Sequence, residues 1–182
     1  MKLISILFIV FTGLCSAQNY SLINGEVVKS NNDTIQVQIR VVTNLFNDNL
    51  VDDSSFSKDI VVYKNNTIEF LKPKNIKSLS FKNQCNETRK FVSDGKVMRE
   101  LIYDGRIKFH RKLNFEYMIG TAKPIYYIIG EDGIEHKVGA FNSVKNKLKL
   151  VTISKPELIS EIEKNEMSCR GIISVLEKYD DI

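Results

Sequence analysis

The sequence predicts an α+β fold: an antiparallel β-rich body, a sheet or open barrel of hairpins, followed by two or three C-terminal helices. Three observations carry this. Ile35, Val37, Ile39 and Val41 alternate with Gln36, Gln38 and Arg40, the period of a strand with one dry face. Turn clusters recur between short β-rich runs up to about residue 140. After Asn142 the apolar spacing changes to that of a helix. Strands first and helices afterwards argue against alternating βαβ units.

The elements follow in order. Glu26 to Lys29 pairs with the alternating strand across Ser30-Asn31-Asn32-Asp33, a turn cluster. Asn44 to Ser57 is polar and acidic without sustained period and is expected to be a loop. Its Asp and Asn residues do not match an EF-hand, because Val51 stands where a third ligand belongs and Asp52 where glycine does. Ile60–Tyr63 and Thr67–Leu71 form a hairpin about Asn65-Asn66, and Pro73 ends the second strand. Ile76–Phe81, Lys90–Ser93, Val97–Tyr103 and Arg106–Arg111 continue the pattern. Asp104-Gly105 is read as a tight turn with positive φ at both residues. Met118–Ile119 and Ile125–Ile129 follow, and Gly130-Glu131-Asp132-Gly133 turns into Ile134–Val138. Val144, Leu148 and Val151 have helical spacing, and Ser154-Lys155-Pro156-Glu157 is a capping-box pattern opening a helix that buries Leu158, Ile159 and Ile162. Ser168 caps a last helix with Ile172, Val175, Leu176 and Tyr179 on one face.

The first segment has a character of its own. Lys2 precedes an uncharged apolar run from Leu3 to Leu14, and Cys15-Ser16-Ala17 ends it on small residues. That is the pattern of a secretory signal peptide cleaved after Ala17, and the run is short of the roughly 20 residues a spanning helix needs. The expected organisation is a signal peptide at 1–17, a β-rich body at 18–141 and a helical segment at 142–182 packed on the same domain. The expected location is exported: periplasmic, envelope-associated or extracellular. In an oxidising compartment the two remaining cysteines, Cys85 and Cys169, make one disulfide an open alternative to two thiols.

The opening Asn24-to-Arg40 stretch, the run KPKNIKSLSF, the hairpin LIYDGRIKF and the tail PELISEIEKN…GIISVLEKYDD occur in this order. Together they resemble a family of small exported proteins of unassigned function from the Bacteroidetes. That resemblance implies an envelope location and a β-rich body with a C-terminal helical cap, and it implies no activity.

A net charge of +4 over 182 residues is too small and too dispersed for a nucleic-acid partner. His110 and His136 are the only histidines, and with Cys85 and Cys169 they lack the paired spacing of a metal site. No phosphate-binding loop or nucleophile elbow is present, so no metal, cofactor or catalytic residue is assigned. Lys108, His110, Arg111 and Lys112 form a candidate basic patch, alone or with Lys145, Lys147 and Lys149. Tyr117, Tyr126 and Tyr127 are candidates for a cleft or interface, with the adjacent pair facing opposite ways. Three functions stay open: a non-catalytic binding module for an envelope protein or glycan, a hydrolase using His110 or His136 with nearby carboxylates, and a structural envelope component.

Overall fold

The computed structural model describes residues 19–44, 47–56, 58–83, 86–116, 121–138 and 144–182. Among the described residues eleven strands form one sheet: β1 (Asn19–Lys29), β2 (Thr34–Asn44), β3 (Asn47–Asp52), β4 (Ile60–Lys64), β5 (Thr67–Leu71), β6 (Ile76–Lys82), β7 (Thr88–Ser93), β8 (Met98–Asp104), β9 (Lys108–Glu116), β10 (Thr121–Ile129) and β11 (Glu135–Val138). Their order is β11-β10-β9-β8-β7-β6-β1-β2-β4-β5, with β3 added to the end of β2, and every pairing is antiparallel. Three α-helices follow among the described residues: α1 (Val144–Val151), α2 (Ile159–Lys164) and α3 (Cys169–Asp181). The α+β fold with strands first is therefore the architecture. Among the described residues no helix is long and apolar enough to cross a membrane.

One row of directly opposed residues organises the sheet. Ile35, Val27, Leu79, Phe91, Glu100, Arg111, Tyr126 and Val138 stand opposite one another in turn from β2 to β11. Opposed residues in a ladder share a face, so all eight point to the inner side. The inner face carries two apolar cores. One gathers Val27, Ile39, Ile60, Val62, Leu79, Phe81 and Phe91 beneath Phe56. The other gathers Phe109, Ile128 and Val138 beneath Leu148, Leu158, Ile162, Ile172, Val175 and Leu176 of the helical segment. On the ladder between them sits Glu100, 6% exposed, which accepts from Arg89 Nε at 2.6 Å and pairs with Arg111. Arg89 lies over the rings of Phe91 and Phe81, so aromatic faces flank this polar seam on one side.

Residues 47–56 are not the loop that their composition predicts. They form β3 and a 3-10 turn over Asp53–Phe56. Pairing to the end of β2 supplies the order that period-2 patterning lacks, and the Ser55 hydroxyl holds the turn by accepting from Val42 N at 2.8 Å and donating to Asp52 O at 2.7 Å. Phe56 is thereby driven into the first core, 4.4 Å from the Phe91 ring. The same turn approaches β9, so the sheet is curled rather than flat.

Asp104-Gly105 does lie at the connection of the β8–β9 hairpin, as expected, but not in the tight two-residue turn expected. β8 runs through Asp104 and β9 starts at Lys108, and neither Asp104 nor Gly105 has positive φ. The reason for glycine is proximity: a Cβ there would lie 1.8 Å from Asp180 Oδ2 and 2.5 Å from Tyr103 Cε1. By contrast Asn65 and Asn66, with φ of 49° and 60°, make the β4–β5 turn as expected. In the helical segment the expected capping box is absent. Pro156–Leu158 form a 3-10 turn, Lys155 precedes it without a side-chain cap, and Ile159 is exposed while Leu158 and Ile162 are buried. Ser168 does cap α3, accepting from Gly171 N at 3.2 Å, and Ile172, Val175, Leu176 and Tyr179 are its buried face.

Candidate functional site

The β10–β11 turn is closed locally: Gly133 N donates to Gly130 O at 2.9 Å, and the Asp132 carboxylate accepts from Ile134 N at 2.9 Å. This conformation turns Ile134 outward, 55% exposed. Across from it, α1 ends in a turn pinned by Thr152, whose hydroxyl donates to Leu148 O at 2.8 Å. That end presents Leu150 and Ile153, 49% and 76% exposed. Between the two lies a cleft of about 470 Å³ lined by Gly130, Glu131, Asp132, Ile134, His136, Leu150, Val151, Ile153, Ser154 and Tyr179.

Tyr179 is the fixed wall of the cleft. Its hydroxyl meets Ser154 Oγ at 3.0 Å, and its ring has the Arg106 guanidinium at 4.9 Å and the Lys155 ammonium at 4.2 Å. Both cations also donate to its backbone oxygen. They occupy the carbonyl end of α3, where positive charge is favoured. Asp180 completes the fastening: it accepts from Tyr103 Oη at 2.6 Å and from Arg106 N at 3.2 Å. Burial alone would raise the Asp180 carboxyl, but these bonds and the Arg106 charge outweigh it and hold the group below its ordinary range. The same burial and the Asp180 bond push Tyr103 up to about 12. The rim therefore carries Glu131, Asp132 and His136 on the sheet side and two engaged cations near Tyr179, around an apolar floor.

His136 lies in the cleft, on the inner side of β11 opposite Ile128, and its side chain makes no hydrogen bond or ion pair among the described residues. His110 lies on the other face, opposite Leu101 and Tyr127, so the two histidines do not act on one site. It is 6% exposed with Nε2 unbonded. Burial, then the Arg99 and Lys108 charges, push its pKa below the ordinary value. Lys108, His110 and Lys112 alternate onto the outer face, whereas Arg111 points inward to Glu100, so these four do not form one patch. Lys108 pairs with Asp104, and Lys145 and Lys149 pair with Glu163. Tyr126 stacks on Phe109 at 5.3 Å on the inner face, and Tyr127 lies outside beneath the Arg99 guanidinium at 3.8 Å. Tyr117 and Cys85 lie outside the described residues. Cys169 carries a thiol that donates to Tyr126 Oη at 3.3 Å. Among the described residues no group of three or more His, Cys, Asp or Glu is placed to hold a metal ion.

Ser154, Lys155 and Arg106 were not singled out as functional from sequence. A signal was present in Leu150 and Ile153, which are apolar yet lie off the Val144–Leu148–Val151 stripe. Chemically, the cleft offers an apolar seat with hydrogen-bonding groups at its rim. The Ser154 hydroxyl is tied to a phenol, whereas a nucleophilic serine needs a base within reach. No protein-family model matches the chain, and neither a curated protein nor a solved structure matches it.

Proposed function

We propose that the protein is an exported, envelope-associated binding module without catalytic activity, and that the cleft beside Tyr179 seats an apolar side chain of an envelope protein. The observation that carries this reading is the exposure of Ile134, Leu150 and Ile153 together around one cleft whose back wall is immobilised. Apolar groups gathered at a concave site mark a binding surface more often than scattered ones do. Export rests on the charged, apolar and small-residue order of residues 1–17 and on the family resemblance. The test is capture from envelope extract by the chain lacking residues 1–17, compared with its Leu150→Asp and Ile153→Asp variants. A defined envelope protein should be retained by the parent and lost by both variants; equal retention by all three overturns the assignment of the cleft.

A second reading, a hydrolase using His136, draws on its place in the same cleft as Glu131 and Asp132. Its test is His136→Ala: a hydrolytic activity of the purified protein that vanishes in this variant, and survives in His110→Ala, supports it over binding alone.

A further inference from the structure

The sheet has a free edge, remote in sequence from the cleft. β5 is its last strand and pairs only with β4 among the described residues. The Asn65-Asn66 turn makes Lys64 and Thr67 the closing hydrogen-bonded pair of this hairpin. Bonded and non-bonded pairs alternate along an antiparallel ladder, so Val62/Glu69 and Ile60/Leu71 are bonded and Tyr63/Ile68 and Val61/Phe70 are not. The N–H and C=O groups of Ile68 and Phe70 therefore point away from β4 to the free edge. The same two residues carry the exposed side chains, Ile68 at 50% and Phe70 at 66%. Donors, acceptors and apolar surface thus coincide at one edge.

Charge selects the occupant. Lys58, Lys64, Lys72 and Lys74 cluster about β5, and among the described residues none of them is ion-paired. Asp59 and Glu69 are the only acids between residues 58 and 74. A second copy fits poorly: antiparallel self-pairing centred on Glu69 sets Glu69 against Glu69 and brings Lys72 of each copy to the Lys64–Thr67 end of the other, and like charges brought opposite are destabilising. β11, the other edge, is held against α1.

We propose that the β5 edge takes up an extended acidic polypeptide segment as an additional strand. The segment carries apolar or β-branched residues in its centre, beside Ile68 and Phe70, and carboxylates towards both ends, facing Lys64 on one side and Lys72 and Lys74 on the other. Main-chain bonds hold it and the flanking charges choose it, the division of labour of strand addition. The reading does not depend on the cleft at Tyr179.

The test uses the chain lacking residues 1–17 and a fluorescent synthetic peptide with alternating Val and Thr in its centre and two carboxylates at each end, followed by anisotropy. Binding should weaken with salt. It should be about tenfold weaker for Phe70→Pro, which removes an outward donor without breaking the ladder to β4. A peptide N-methylated at alternate central residues, which leaves the protein unaltered, should also lose binding. The analogue with lysines in place of the carboxylates should not bind the parent, but should bind a Lys64→Glu/Lys72→Glu/Lys74→Glu variant. Absence of binding, binding indifferent to both Phe70→Pro and N-methylation, or dimerisation of the protein through β5 that excludes the peptide would each overturn the proposal.

Discussion

His110 stands on the outer face with Arg99, Lys108, Glu135 and Asp104 around it, and the balance of burial and charge keeps its imidazole neutral. The folded chain takes up this proton at a lower pH than the unfolded chain does. In the range below the ordinary histidine value the unfolded state therefore binds more protons, and stability falls as the pH falls through about 6.5. Urea denaturation at pH 7.5 and 5.5 should show this loss, and His110→Gln should remove the histidine part of it. The depressed aspartates act in a separate window: Asp94, Asp104 and Asp180 contribute stability that is lost only below the ordinary carboxylate range. Gly105 makes a second residue-level prediction. Gly105→Ala forces the Asp180 carboxylate and the Tyr103 ring aside and should cost about 1–3 kcal/mol by thermal or urea melting. In an Asp180→Ala background the same change should cost less, because the nearer of the two colliding groups is gone and only the Tyr103 ring must give way. The glycine was legible as a turn signal, but its reason was not, because the collision is with a side chain 75 positions further along the sequence.

At the scale of elements, local chemistry was a good guide wherever an element's own residues settle its form. The β1–β2 and β4–β5 hairpins and α3 follow from alternation, positive-φ asparagines and a serine cap. Ser168→Ala should therefore cost about 1 kcal/mol, read as a lower melting midpoint. Where an element owes its form to a distant neighbour, the sequence was silent. β3 is ordered by the end of β2, and the 3-10 turn after it by the Ser55 bridge. Phe56 makes the role of that turn measurable: Phe56→Ala opens the first core under Phe81 and Phe91 and should destabilise by about 3–5 kcal/mol. Ser154 shows the same competition at a helix start. Its hydroxyl is recruited by Tyr179 from another helix, so the capping pattern goes unused.

Across the whole molecule, the register of the sheet decides what lies beside what. The row from Ile35 to Val138 makes an apolar, then charged, then apolar sequence that no local window contains. The fold class was legible because it depends on the order of periodicities along the chain. The cleft was not, since it joins a sheet turn, the end of α1 and the last turns of α3. Glu100 ties the two cores together through Arg89 and Arg111, with arginine side chains 15% and 29% exposed. Glu100→Gln should lower stability by about 3 kcal/mol, at the low end for breaking a buried ionic contact because Arg111 keeps some solvent. Circular dichroism and tyrosine absorbance melts together would measure it. The Tyr103–Asp180 bond also gives the molecule an internal indicator. The chain has no Trp, so its near-ultraviolet signal above the phenylalanine bands comes mainly from seven tyrosines. Raising the pH should ionise Tyr103 only near 12, against about 10 for a free phenol. Alkali thus weakens the folded state between those values, and an early phenolate signal at Tyr103 would report that the last helix has come away from the β8–β9 connection.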